Sequence, residues 1–438
     1  MGRRSSAGRS CSLLYVAFFV SMTCLGPPTL AQSDDWPQWG GPNRDFKIAA
    51  KGLAASWPDE GPRRLWSREL GEGYSSIAAV SGTLYTMYRR GNEEVVIALE
   101  AATGKTVWEH AYAAPFIVVG READIVQEYH LSNGLGPHST PLIVGDHLFA
   151  AGATGWFHCL DKNTGEVIWK HHLFTDLGGF VRQRGYAPSP IAYQDTVILP
   201  VGAVGGSIMA FDQQNGEIVW RRHDYHHAYA SPSLIDVDGQ EQLVTFMRDW
   251  VVAVDPRNGD LFWSYPIEST QGTNVSTPVF GPGNLLFMSA SYGVGARVLR
   301  LTRVSGRTDL EEVWVSPRVR LHYANAIRIG DVIYGSSGDF GPAFFTAIDV
   351  HTGSVFWQDR RLARANFIYA DGHFIMVDED GTLVLATPSA KGLVIDSQTD
   401  LLESNAWTVP TLIGTTLYVR DRKSILALDL GPQSPPSP

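Results

Sequence analysis

Short apolar runs broken by turn residues fill the chain, and residues 140–172 show one full period: TPLIVGDHLFAAGATGWFHCLDKNTGEVIWKHH. PLIV ends at Gly145-Asp146, HLFAAGA at Thr154-Gly155, and WFHCLD at Asn163-Thr164-Gly165, after which EVIWKHH follows. Four short strands joined by tight turns make a meander. The third strand and its turn return as FHCLDKNTGEVIW (157–169), IMAFDQQNGEIVW (208–220), VVAVDPRNGDLFW (251–263) and FFTAIDVHTGSVFW (344–357). In each, the glycine is expected in the left-handed conformation and the aspartate is expected to accept backbone N–H groups across the turn.

The acidic turn position recurs at Glu100, Asp161, Asp212, Asp255, Asp349 and Asp429. The long gap after Asp255 holds a degenerate copy at Leu301-Thr302 with Trp314, and the gap after Asp349 holds another at VLAT, 384–387. That makes eight copies, with outer-strand tryptophans at Trp108, Trp169, Trp220, Trp263, Trp314 and Trp357, each expected to pack on the next repeat. The last copy, ILALDLG at 425–431, lacks an outer strand, while RRLWSREL at 63–70 is an outer strand with nothing before it. The two ends complement each other. The expected fold is all-β: an eight-bladed β-propeller of four-stranded antiparallel blades over 63–431, its ring closed by the N-terminal strand. Closure removes free sheet edges.

Residues 1–31 carry Arg3, Arg4 and Arg9, an apolar LLYVAFFV and a Thr29-Leu30-Ala31 cleavage pattern, which is expected to be a secretory signal peptide with a mature start at Gln32. The apolar run is shorter than the roughly 20 residues of a spanning helix, so no transmembrane segment is expected in the mature chain. A lead-in segment over 32–62 and a disordered tail over 432–438 complete the division. Losing three arginines and no acid takes the net charge from −10 to −13, which disfavours nucleic acid as a partner. Cys11 and Cys24 leave with the signal. Cys159 then stands alone in an apolar strand and is expected to be buried and inert.

The phrase Ala-x-Asp-x-x-(Thr/Asn)-Gly-x-x-x-Trp resembles the tryptophan-docking repeat of the pyrroloquinoline quinone enzyme-like propellers, and DWPQWGGPNRD at 35–45 is similar to the N-terminal segment of exported bacterial members. The resemblance implies a fold more firmly than a function, because that superfamily includes quinoprotein alcohol dehydrogenases and the non-enzymatic propeller lipoprotein of the outer-membrane β-barrel assembly machine. A dehydrogenase would imply adjacent cysteines against the quinone and a calcium held by Glu, Asn and Asp. This chain has no adjacent cysteines. The expectation is therefore an exported, monomeric binding or scaffold protein, periplasmic or secreted, without a cofactor, whose partners are proteins or a small polar ligand. The alternatives are a quinone- and calcium-dependent dehydrogenase, or an enzyme acting on a polar or carbohydrate substrate.

Residues just ahead of each inner strand converge near the axis of a propeller, and here they are polar or aromatic in every blade. The candidate ligand-binding set is Tyr74, His138, Tyr186, Tyr229, Asn274, His322, Arg364, Asn366 and Trp407. No catalytic residue is assigned. His138, His227 and His322 could meet around a metal, but no carboxylate partner or ligand spacing accompanies them. The blade spacing leaves a surplus at about 112–135 and 173–186, expected as loops on one face.

Overall fold

The computed structural model describes residues 1–2, 35–116, 133–180, 182–339, 341–389, 391–403 and 405–432. Nearly all of residues 1–31, the expected signal peptide, most of the 112–135 insertion and the end of the 432–438 segment lie outside them. Eight four-stranded antiparallel blades are present among the described residues, seven as separate four-stranded sheets and one with a fifth, parallel strand at its inner edge. Blades I to VII span 78–113, 142–172, 191–222, 233–266, 279–316, 321–359 and 365–400. Blade VIII takes its inner three strands from Thr411–Ile413, Thr416–Arg420 and Ser424–Asp429, and its outer strand from Arg63–Glu69. Arg63 pairs with Asp429 and Glu69 with Ser424, the closure expected from the complementary chain ends.

The repeated phrase works through its tryptophan and its turn together. Asp161 Oδ1 accepts the N–H groups of Asn163 and Thr164 at 2.8 and 3.0 Å, and Gly165 turns the chain with φ +76°. The indole of Trp108, on the outer strand of blade I, then donates to the carbonyl of Lys162 at 2.9 Å. A Cβ on Gly165 would stand 2.5 Å from that indole, so the glycine is required by both the backbone and the docked ring. Trp66, Trp169, Trp220 and Trp314 repeat the arrangement on the turns of blades I, III, IV and VI. A bulge in every outer strand, between the tryptophan and the residues before it in blades I, II and VIII, for example, re-aims the ring toward the neighbour.

Three blades depart from the rule, and in blade VI Trp357 still reaches its neighbour, donating to Ser389 O of blade VII at 2.8 Å on a turn without the aspartate. Trp263 bonds Gln242 of its own blade at 2.7 Å, and Gln242 passes the contact to Thr308 of blade V at 2.8 Å, because blade V turns tightly at 304–307 and has no aspartate turn to dock on. The outer strand of blade VII has Ser397 where the others have tryptophan. Trp57 of the lead-in packs there, its backbone N–H donating to Ser397 Oγ at 2.9 Å.

The seam between blades VIII and I is held by polar groups as well as by packing. Arg420 is almost wholly buried, and its guanidinium donates to the carbonyls of Met87 at 2.8 Å and Ser75 at 3.3 Å, and to Thr86 Oγ1 at 3.1 Å. Thr411 Oγ1 donates to Ile77 O at 2.7 Å across the same seam. The lead-in is not a passive tail of the ring. Trp36 exchanges N–H···O bonds with Ala79 of blade I, Arg44 reaches Pro190 O ahead of blade III, and Lys47–Ile48 pairs in parallel with Tyr369 and Ala370 of blade VII. It therefore crosses the ring.

Candidate functional site

The inner strands begin at a common opening, and the residues before them build an aromatic belt around it. Tyr74 of blade I lies flat on His138 (ring centroids 5.8 Å, planes 4° apart) and leans on Trp407 of blade VIII at 5.2 Å. Trp407 stacks on Tyr323 of blade VI at 5.8 Å with planes 7° apart. The Tyr323 hydroxyl receives Arg184 Nη1 at 3.2 Å and shares a hydrogen bond with Tyr292 at 3.1 Å. The guanidinium of Arg364 lies over the Tyr323 ring at 5.3 Å and donates to Glu379 Oε2 at 2.7 Å, while the Trp407 indole donates to the same oxygen at 3.2 Å. On the other side, Arg182 covers Tyr229 at 5.0 Å. Cation–π contact and stacking fix these rings in place, so the opening is pre-shaped.

The belt encloses a cavity of about 150 Å³. Of the nine candidate residues, Tyr74, His138, Tyr229 and Trp407 line it. The other five stand behind the lining. Tyr186 is fully buried and donates to Pro200 O at 3.1 Å, and Asn274 donates to the carbonyls of Met247 and Arg248, both at 2.8 Å. Asn366 donates to Trp407 O at 2.9 Å and so fixes the belt from below, and Arg364 is committed to Glu379. His322 is buried between Tyr292 and Tyr323, with ring centroids at 5.0 and 4.2 Å, and neither ring nitrogen has a partner among the described residues. Burial first, then the charges of Arg184 and Arg364, lower its pKa to about 3, so it is neutral at pH 7.

His138, His227 and His322 do not form a metal set. His227 is buried with its ring nitrogens 2.9 and 2.7 Å from the carbonyls of Ala228 and Phe180, and burial takes its pKa to about 4. Among the described residues, no three His, Cys, Asp or Glu side chains gather into a set able to hold a metal ion.

Nine lining residues lie outside the candidate set, and four of them shape the opening. Tyr323 packs on the sealed His322 ring at 4.2 Å and itself lines the cavity. Arg184 comes from the 173–186 surplus, and Asn133 from the described end of the 112–135 insertion, where its carbonyl accepts the Tyr74 hydroxyl at 2.5 Å. Both surplus segments thus reach the opening. Trp39 of the lead-in is the fourth. Its indole donates to Thr277 Oγ1 at 3.1 Å, and its ring meets Phe46 edge-on at 5.2 Å, so it forms the floor of the cavity.

The family model described as outer membrane protein assembly factor BamB matches residues 92–359, more than half of the chain. The chain belongs to the BamB family. The outer membrane protein assembly factor BamB of Yersinia pestis is 22% identical over 304 residues, 66% of this chain and 73% of its own. The crystal structure of BamB from Moraxella catarrhalis superposes with a TM-score of 0.59 at 17% identity, over 84% of this chain and 100% of that one. A quinohemoprotein alcohol dehydrogenase from Pseudomonas putida HK5 gives a TM-score of 0.62 at 12% identity, over 92% and 82%. At such identities the two solved structures speak for the fold alone.

The opening of this BamB-family chain does not fit a calcium-held quinone. The acid on the belt, Glu379, is taken by Arg364 and Trp407. Cys159 is fully buried in the third strand of blade II, where burial pushes its thiol up to about 12, so it offers neither a disulfide nor a thiolate.

Proposed function

We propose that this protein is exported and serves as a non-catalytic scaffold in outer membrane protein assembly, holding a polypeptide partner at the axial opening. Membership of the BamB family supports the class of role. The observation that carries the site is the belt itself: Tyr74, Trp407 and Tyr323 stacked in series beside Arg184 at a concave opening. Tyrosine, tryptophan and arginine are the residue types that dominate binding energy at protein interfaces, because they combine large rigid area with a polar tip. Their mutual stacking means that little rotamer entropy is lost when a partner side chain enters. The titratable groups at the opening are arranged for binding more than for proton transfer, since His322 is sealed and neutral and Arg364 is paired.

In this reading residues 1–31 are a signal removed ahead of Gln32, and the mature protein acts as a monomer. The test is deletion of the gene in the source bacterium followed by complementation. Loss of the protein lowers the amount of folded β-barrel proteins in the outer membrane, and the wild-type chain restores it. A chain carrying Tyr323→Ala and Trp407→Ala, exported to the same level, restores less than half. Full rescue by the double variant removes the opening from the proposal. Unchanged barrel levels on deletion remove the assembly role.

A further inference from the structure

A second cavity, of about 500 Å³, lies at the far end of the inner strands under the lead-in segment, with Trp39 between it and the axial opening. Two arginines bound it. Arg44, from the lead-in, is 9% exposed and donates through Nη1 to Gln38 Oε1 at 3.1 Å and Pro190 O at 3.0 Å. Its Nε and Nη2 are buried and without a partner among the described residues. Arg328, from the inner strand of blade VI, is 4% exposed and donates to Gly330 O at 2.8 Å and Pro282 O at 2.9 Å, and its Nη1 is likewise buried without a partner. The carboxylate near Arg328 is that of Asp331, 3.8 Å away and mostly in water.

Arg420 shows how this fold satisfies a buried arginine that serves structure alone: it is ringed by backbone carbonyls and a threonine hydroxyl. Arg44 and Arg328 differ, because both are short of acceptors and both border one cavity. A buried cation without a counter-charge is costly, and burial lowers the pKa of both side chains, that of Arg44 to about 9. The two acids on the lining are already engaged. Asp45 accepts the Lys47 N–H at 3.2 Å and meets its ammonium at 3.6 Å, and Asp236 accepts Gly239 N–H at 2.9 Å. The remaining wall includes Phe46, Leu234 and Phe280.

We infer that this cavity binds a small organic anion, a carboxylate head on an apolar body, with the head drawn to Arg44 and Arg328 and the body against Phe46, Leu234 and Phe280. Guanidinium groups pair with carboxylates through their paired N–H donors, and the apolar wall selects against a bare inorganic anion. The site is separate from the axial opening, so it stands or falls independently of the scaffold role.

The test uses the exported protein and three probes: 4-phenylbutyrate, its neutral amide, and inorganic phosphate. Binding is followed by calorimetry and by tryptophan fluorescence, since Trp39 packs on Phe46 at the cavity wall. The expected result is saturable binding of the acid alone, weakened about ten- to a hundredfold by Arg328→Gln, the loss that follows removal of a charged hydrogen-bond donor. Should Arg328→Gln fail to fold, Arg328→Lys keeps the charge and loses the fork, and a weakening of severalfold is expected. The proposal is overturned if the acid fails to saturate at millimolar concentration, if the amide or phosphate binds as well as the acid, or if the arginine variants bind with wild-type affinity.

Discussion

Acidification from pH 7 to about pH 5 is expected to remove about 4 kcal/mol of stability through two histidines alone. His158 and His322 are buried, and each has its pKa lowered to about 3. For His158 the cause is burial, then the positive charges of His110 and Lys170; for His322 it is burial, then Arg184 and Arg364, partly opposed by Asp339. The folded pKa lies below the unfolded value of about 6.5, so the unfolded chain takes up protons first as the pH falls. Their contribution is complete above about pH 6.5 and is lost on the way down to about pH 3. At pH 5 the gap of about 1.5 units is worth about 2 kcal/mol for each ring. His227 adds less, because the carbonyls of Ala228 and Phe180 can both accept from its charged form. The carboxylates held low by arginine, Asp255 by Arg257 and Asp359 by Arg361, lose their contribution only at lower pH. Glu94 and Asp378, raised by burial, act in the opposite sense. The measurement is therefore a difference: urea midpoints at both pH values for the wild type and for His158→Gln with His322→Gln. The double variant is expected to lose markedly less stability on acidification. Equal losses would show that the two rings are protonated as easily in the fold as out of it.

Arg420→Met is expected to cost about 3–5 kcal/mol, the loss that follows when buried groups are left without their charged partner. Arg420 remains charged at pH 7, its pKa lowered only to about 10 by burial. Replacement of a whole buried ion pair by apolar residues is often harmless, because both charges go together. Here the partners are the carbonyls of Ser75 and Met87, which no side-chain substitution removes. The weakened seam is also where the outer strand Arg63–Glu69 joins blade VIII, so the variant should release that strand to protease early. Arg420→Lys retains one donor head and is expected to fall between. A urea midpoint for Arg420→Met within error of the wild type would mean that the Arg420 contacts add nothing to the closure of the ring.

The fold was legible because each blade repeats one local device. An aspartate that caps its own turn, a glycine at positive φ and a tryptophan all lie within one hairpin, so the pattern survives in the order of residues. The ring closure was legible for the same reason, as an outer strand missing at one end and present at the other. What escaped depends on contacts far apart in the chain. Trp263 turns to Gln242 because of a tight turn in the next blade, and Trp57 packs beside Ser397, which lies more than three hundred residues later. Neither has a local signature.

The opening divides the same way. Position before an inner strand identified Tyr74, His138, Tyr229 and Trp407, since chain order alone brings those positions to the axis. It could not distinguish His322 from Tyr323, neighbours of which one is sealed and one faces the cavity. Trp39 was invisible as a site residue because only the path of the lead-in across the ring brings it within 3.1 Å of Thr277.

The proposed scaffold role places a partner at the axial opening, and site-specific photo-crosslinking in the living envelope tests that contact directly. A photoreactive phenylalanine analogue is placed at Trp407, on the belt, and at Val107, exposed on the outer strand of blade I. The expected result is one discrete polypeptide adduct from position 407 and none of that mass from position 107. No adduct from position 407, or the same adduct from both positions, would contradict a partner held at the opening.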